Sequence, residues 1–233
     1  MEIDEIALSE PACAAREIDF VNAVLQSSRW SDGPMLASFE RAFARWVGRE
    51  YAVAVASGTL ATWIALRAMG IGPGDEVVCA SHTWHQVAHA ITLAGAVPVF
   101  ADIDYWSGCL SVEKVAQKIG PRTRGILAGN TNGHPAAWAL LRELAGAQRL
   151  RLIEDSTEAF GSRYRGRNVG CFGDVSVFDF SSPSALCIGA GGMLVTDDDE
   201  LVHALRYLRE RATQTARPSR SARGCRCRRA SVI

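Results

Sequence analysis

Short runs that are apolar at every position, such as VPVFA at 97–101, alternate along this chain with longer segments whose apolar residues recur at helical spacing. A strand with no polar alternation is one covered on both faces. A helical segment between two such strands is the crossover that joins parallel neighbours. The pattern predicts strands at 51–56, 76–80, 97–101, 125–128 and 151–154, with helices at 59–69, 84–93, 112–119 and 136–147 between them. Two helices at 17–25 and 34–48 come first, with Pro34 suited to the first turn of the second. Strand-like runs at 174–180 and 191–196 follow with no helix between them, so one sheet neighbour is antiparallel, and a last helix runs over 198–210. The fold class this implies is α/β: a three-layer α/β/α sandwich with a mostly parallel sheet.

Length and composition bound the rest. With 233 residues, 48% of them hydrophobic and 21% charged, the chain can bury a sizeable core and is not a disordered polypeptide. Its formal net charge is zero, which gives no electrostatic reason to expect nucleic acid or an anionic membrane, so a small molecule is the expected partner. No run of about 18 apolar residues occurs, and MEIDEIALSEPAC places acids where a secretory leader needs bases, so the expected location is cytoplasmic. Cys13, Cys79, Cys109, Cys171 and Cys187 have no paired spacing and read as free thiols, and no metal site is expected. From 212 to 233 the chain carries six arginines and no acid, and it reads as a disordered Arg/Ser/Cys-rich tail following one domain over 1–211. A basic arm, or a metal clip at Cys225 and Cys227, is the alternative use of that tail, and an out-of-frame gene end is another origin for it.

Two stretches carry chemistry. Ser57-Gly58-Thr59 falls between a strand and a helix, where backbone N–H groups and the helix dipole can receive a phosphate, although the same residues can serve as an N-cap. Glu154 and Asp155 close a buried strand at its C-terminal end, where open α/β sheets bind ligands. A carboxylate there can pair with a protonated ring nitrogen, or it can cap the next turn.

Over most of residues 16–210 these pieces, in order, resemble the DegT family of nucleotide-sugar aminotransferases, which have the aspartate aminotransferase fold. The resemblance rests on Trp30-Ser31-Asp32-Gly33-Pro34, Phe39-Glu40, Ser57-Gly58-Thr59, Gly74-Asp75-Glu76-Val77-Val78 and Thr83-Trp84. Further along it rests on Gly95-Ala96-Val97-Pro98-Val99-Phe100, Asp102-Ile103-Asp104, Glu154-Asp155 and Gly191-Gly192. It implies the large domain of a type I pyridoxal phosphate (PLP) enzyme acting on a nucleotide-linked keto-sugar, with PLP or pyridoxamine phosphate (PMP) as cofactor. By the same resemblance, Gly58 and Thr59 hold the cofactor phosphate, Trp84 stacks on the ring, and Asp155 keeps the pyridine nitrogen protonated. A dimer, either of this chain or with a catalytic paralogue, is also implied, and the smaller C-terminal domain of the family is expected to be absent.

The chain departs from the family pattern where the chemistry is most demanding. Phe178-Asp179-Phe180-Ser181-Ser182-Pro183-Ser184 puts Asp179 at the family's phosphate-binding serine and Ser184 at its aldimine-forming lysine. A hydroxyl cannot form a Schiff base, and a carboxylate beside a phosphate is repulsive. Lys114 and Lys118 are the chain's only lysines, and they lie in a segment that reads as a surface helix. Glu158 adds a further negative charge where many relatives have glutamine. The expectation is a family member that does not transaminate. The alternatives are a PMP-dependent, dehydratase-like enzyme using a histidine, with His134 better placed than His85 or His89, and a noncatalytic partner subunit.

Overall fold

The structure, a computed structural model, describes residues 12–181 and 184–214. Helices α1 (Ala15–Leu25) and α2 (Pro34–Val47) precede strand β1 (Tyr51–Val55) and helix α3 (Gly58–Ala68). Strand β2 (Glu76–Ala80), helix α4 (His85–Leu93), strand β3 (Val97–Ala101), helix α5 (Val112–Lys118) and strand β4 (Thr123–Gly129) continue the alternation. Helix α6 (Trp138–Gln148) leads to β5 (Arg151–Asp155), a small hairpin of β6 (Arg163–Tyr164) and β7 (Arg167–Asn168), then β8 (Val175–Asp179), β9 (Gly192–Thr196) and α7 (Asp199–Gln214). The expected boundaries hold to within a few residues. Residues 212–214, assigned to the tail, continue α7, while 215–233, with Cys225 and Cys227, lie outside the described residues. Among the described residues no helix is long and apolar enough to cross a membrane.

The main sheet has seven strands in the order β1-β9-β8-β5-β4-β2-β3. Every pairing from β8 to β3 is parallel, while β9 runs antiparallel to both β8 and β1. A parallel sheet needs cover on both faces, and strand alternation divides the core accordingly. Val77, Cys79, Leu127, Ile153, Val175, Val177 and Leu194 pack toward α3, α4 and α7. Val78, Ala80, Ile126, Ala128 and Leu152 pack toward α5 and α6 on the other face. A third cluster joins α2 to the β8–β9 end of that second face. There Phe43 meets Phe178 edge to face, with ring centroids 5.0 Å apart.

Polar contacts fix the ends of these layers. Glu40 of α2 accepts from the Ala54 N–H at 2.9 Å and pairs with Arg209 of α7 at 2.6 Å, tying helices from opposite faces to β1. Beside that junction β9 runs close to the β1–α3 turn. A Cβ on Gly192 would lie 2.6 Å from the Ser57 carbonyl oxygen, so a glycine is required there for space.

Candidate functional site

The C-terminal ends of the parallel strands open on one edge of the sheet, and the turns that leave them line a cleft. Alternation along β5 sends its two terminal acids in opposite directions. Glu154 is fully buried and accepts from Asn130, Ser156, Ser176 and the backbone N–H groups of Gly170, Phe172 and Gly173. It is a structural anchor for the 170–173 loop. Asp155 instead faces the cleft and lines both of its cavities. Its Oδ1 accepts from the Thr157 N–H at 3.0 Å, so it caps the next turn as well as facing the site. Burial pushes the Asp155 carboxyl above the usual range, and although the Thr157 bonds oppose this, Glu158 and Asp179 add to it.

Trp84 is the N-cap residue of α4 and stands 42% exposed where it lines both cavities, so it is not part of the core. Its indole N–H donates to Glu158 Oε1 at 2.5 Å, and the other oxygen of Glu158 accepts from the Asn132 N–H at 2.7 Å. Glu158 therefore ties the Trp84 indole to the Asn132 backbone at the cleft. The larger cavity, about 320 Å³, is bounded by His82, Trp84, Asn130, Asn132, Asp155 and Glu158. The smaller, about 50 Å³, lies among Gly58, Thr62, Gln86, Asp155 and Asp179.

The turn into α3 is arranged unlike a waiting phosphate cup. Ser57 is the N-cap, its Oγ accepting from the Leu60 N–H at 3.2 Å, so the capping role left open by the sequence is realised. The Gly58 N–H donates to Asp179 Oδ2 at 3.2 Å. Asp179 Oδ1 accepts from both the N–H and the hydroxyl of Ser181, at 2.8 and 2.5 Å. Phe178 and Phe180, on either side of Asp179, point into the aromatic core, which leaves Asp179 facing the cleft by strand alternation.

Not all the expected residues converge. Thr59 sits in the first turn of α3 outside both cavity linings. Ser184 also lies outside them, and its hydroxyl accepts weakly from the Leu186 N–H at 3.4 Å. His134 is exposed, with Nδ1 3.0 Å from the Pro135 carbonyl, and is absent from both linings. Lys114 and Lys118 are exposed on α5 and do not line the cleft. Sequence reasoning missed Gln86, His82 and Thr157, whose Oγ1 accepts from the Asp179 N–H at 3.1 Å.

A mostly parallel sheet with one antiparallel strand, and a strand-end aspartate lining the same cleft as an exposed aromatic ring, fits the large-domain architecture of PLP-dependent transferases of the aspartate aminotransferase fold. The chain belongs to the DegT/DnrJ/EryC1/StrS aminotransferase family, whose profile matches residues 11–228. It is 39% identical over 198 residues to the GDP-perosamine synthase of Escherichia coli O157:H7, covering 84% of this chain and 54% of that one. To the dTDP-3-amino-3,4,6-trideoxy-alpha-D-glucose transaminase of Streptomyces venezuelae it is 43% identical over 187 residues, 80% of this chain and 49% of that one. The crystal structure of S. venezuelae DesV in complex with a ketimine intermediate superposes with a TM-score of 0.81 at 42% identity, over 84% of this chain and 53% of that one. The chain thus spans about half the length of the curated relatives it matches.

Enzymes of this family depend on PLP. The residues present here fit part of that cofactor. Trp84 and Asp155 suit a flat ring with a protonated nitrogen. The two ends of the molecule do not fit: a carboxylate already holds the Gly58 N–H where the phosphate would go, and Ser184 offers no amine to the carbonyl carbon.

Proposed function

We propose that this chain is a family member of nucleotide-sugar metabolism, associated with a nucleotide-linked keto-sugar, that does not itself transaminate. One observation carries the reading: serine stands at position 184, and no lysine of this chain lines the cleft. Transamination by this family requires a primary amine that exchanges covalent partners with the cofactor. A neutral hydroxyl supplies neither that bond nor a group titrating near pH 7. The sugar assignment is supported by relatives named for aminosugar synthesis, GDP-perosamine synthase and the dTDP-aminosugar transaminase among them.

The test is an absorption spectrum of the purified chain with PLP, before and after borohydride. No reducible adduct at stoichiometric cofactor is the expected result, and a stable reduced adduct on the protein would sink the reading.

A second reading, a noncatalytic subunit paired with another chain, is favoured by α1. None of its residues is buried, and Ile18, Phe20, Val21 and Leu25 are all exposed. An amphipathic helix whose apolar residues are left uncovered by the other described residues is an interface feature. Co-purification with a catalytic paralogue is expected under this reading, while failure to associate with that paralogue in sedimentation velocity of the mixed chains would count against it. The dehydratase-like alternative gains no support from His134, which is outside the cleft lining, and the histidine that does line the cleft is His82.

A further inference from the structure

The mismatch at the α3 turn points to what this cleft accepts. A helix N-terminus presents unpaired N–H groups and a partial positive charge, and it is stabilised by an anion. In α3 part of that demand is met from within the chain. Gly58 N–H is held by Asp179 and Leu60 N–H by the Ser57 hydroxyl, while Ala61 N–H makes the first ordinary helical bond, to the Ser57 carbonyl. The Asp179 side chain lies directly on Gly58: a Cβ placed there would be 2.4 Å from Oδ2 and 2.5 Å from the Asp179 Cβ. The seat is occupied by atoms as well as by charge.

The rest of the lining has a consistent character. Asp155, Asp179 and Glu158 are hydrogen-bond acceptors when ionised, and among the described residues neither cavity lining contains lysine or arginine. Gln86 Oε1 is buried at the smaller cavity with no partner among the described residues, a further acceptor awaiting a donor. The Trp84 ring adds a surface that attracts cations.

We propose that Asp179 is a specificity-determining residue. Its carboxylate is a built-in anion that takes the place of a cofactor phosphate and makes the α3 end of the cleft select against a phosphate there, in favour of ligand groups that donate hydrogen bonds or carry positive charge. This rests on the family reading above but not on the absence of transamination, because PMP brings its own amine and needs no lysine to bind.

The experiment compares PMP with unphosphorylated pyridoxamine by calorimetric titration of the full chain, of Asp179→Ser and of the near-isosteric Asp179→Asn. The wild type is expected to bind PMP no more tightly than pyridoxamine. Asp179→Ser is expected to shift the ratio toward PMP by at least about tenfold, the scale of an anion contact at a helix N-terminus. Asp179→Asn is expected to shift it in the same direction. A wild-type preference for PMP above tenfold would overturn the proposal, as would an unchanged ratio in both variants or the absence of binding to either vitamer in both. A borohydride-stable adduct of the wild type with PLP would instead strike at the function reading and leave this ratio standing.

Discussion

The indole N–H of Trp84 and the Glu158 carboxylate, 2.5 Å apart, form the bridge that fixes the aromatic wall of the cleft. Because Glu158 also accepts from the Asn132 N–H, one side chain couples the start of α4 to the loop after β4. Replacing Glu158 by alanine should free the indole. The pair is exposed to water, so the expected loss of stability is below about 1 kcal/mol. The local effect is larger: acrylamide quenching of tryptophan fluorescence should rise in Glu158→Ala and return toward wild type in Glu158→Gln, which can still accept.

Glu154 is the opposite case. It is fully buried and satisfied by six donors, so truncation leaves several of them without an acceptor in a dry interior. Glu154→Ala should cost about 3 kcal/mol or more in urea denaturation, and Glu154→Gln less, because its amide oxygen still accepts while its NH₂ meets donors.

Asp155 makes stability depend on pH with a definite sign. Its carboxyl titrates above the ordinary value of 3.8, so the folded state holds the proton more tightly than the unfolded one. That contribution is fully present below the ordinary value and is lost as pH rises through the folded one. Asp155→Asn removes the charge while keeping an oxygen for the Thr157 N–H. Its melting temperature should exceed that of the wild type at pH 7, and the gap should close toward pH 4. A gap that widens on acidification would contradict the assignment.

Much of this was legible from the sequence because apolar strands and crossover helices leave few alternatives. Strand β2, with its parallel neighbour β3, lies where the VVCA and VPVF runs predicted. The β6–β7 hairpin escaped notice because its strands are two residues each with no apolar alternation. Its one local signal is the Arg165-Gly166 turn, with φ of 48° and 80°. In the cleft, Gly58 and Asp155 were readable because they sit where strands end and the next turn begins, whereas Trp84, Glu158 and Asp179 were read from the resemblance to the family. Gln86 and Thr157 were not, since their part depends on side-chain direction. The sequence announced that Asp179 would oppose a phosphate, but it gave no sign that the carboxylate would itself bond to the Gly58 N–H.

Burial also sorts the cysteines. Cys79 is enclosed in the core, which pushes its thiol up to about 12, and Cys109 and Cys171 are buried too, whereas Cys13 is exposed. The thiolate is the reactive form, so iodoacetamide at pH 8 should label Cys13 in the native chain and spare Cys79 until denaturant is added. Peptide mass spectrometry reads this directly, and early labelling of Cys79 would mean that the layer between the sheet and α3 opens readily.

The contact between Gly58 and Asp179 can be weighed by a double-mutant cycle. Gly58 lies in the first turn of α3, where alanine is conformationally welcome, so any penalty at this position comes from space. In Gly58→Ala the new methyl would meet the Asp179 Cβ and carboxylate at 2.4 to 2.7 Å, and because one of those atoms is next to the backbone, a rotation of the carboxylate cannot relieve the clash. The expected cost is about 2 kcal/mol. Asp179→Gly alone loses an anion at a helix N-terminus and puts a glycine in a strand, about 2 kcal/mol in all. Together the two changes should cost less than their sum, because glycine removes both the Cβ and the carboxylate that the methyl would meet. A coupling of at least about 1 kcal/mol in urea denaturation is the predicted result. Strict additivity would mean that the carboxylate does not rest on Gly58 in solution, and the seat at α3 would then be open to an outside anion.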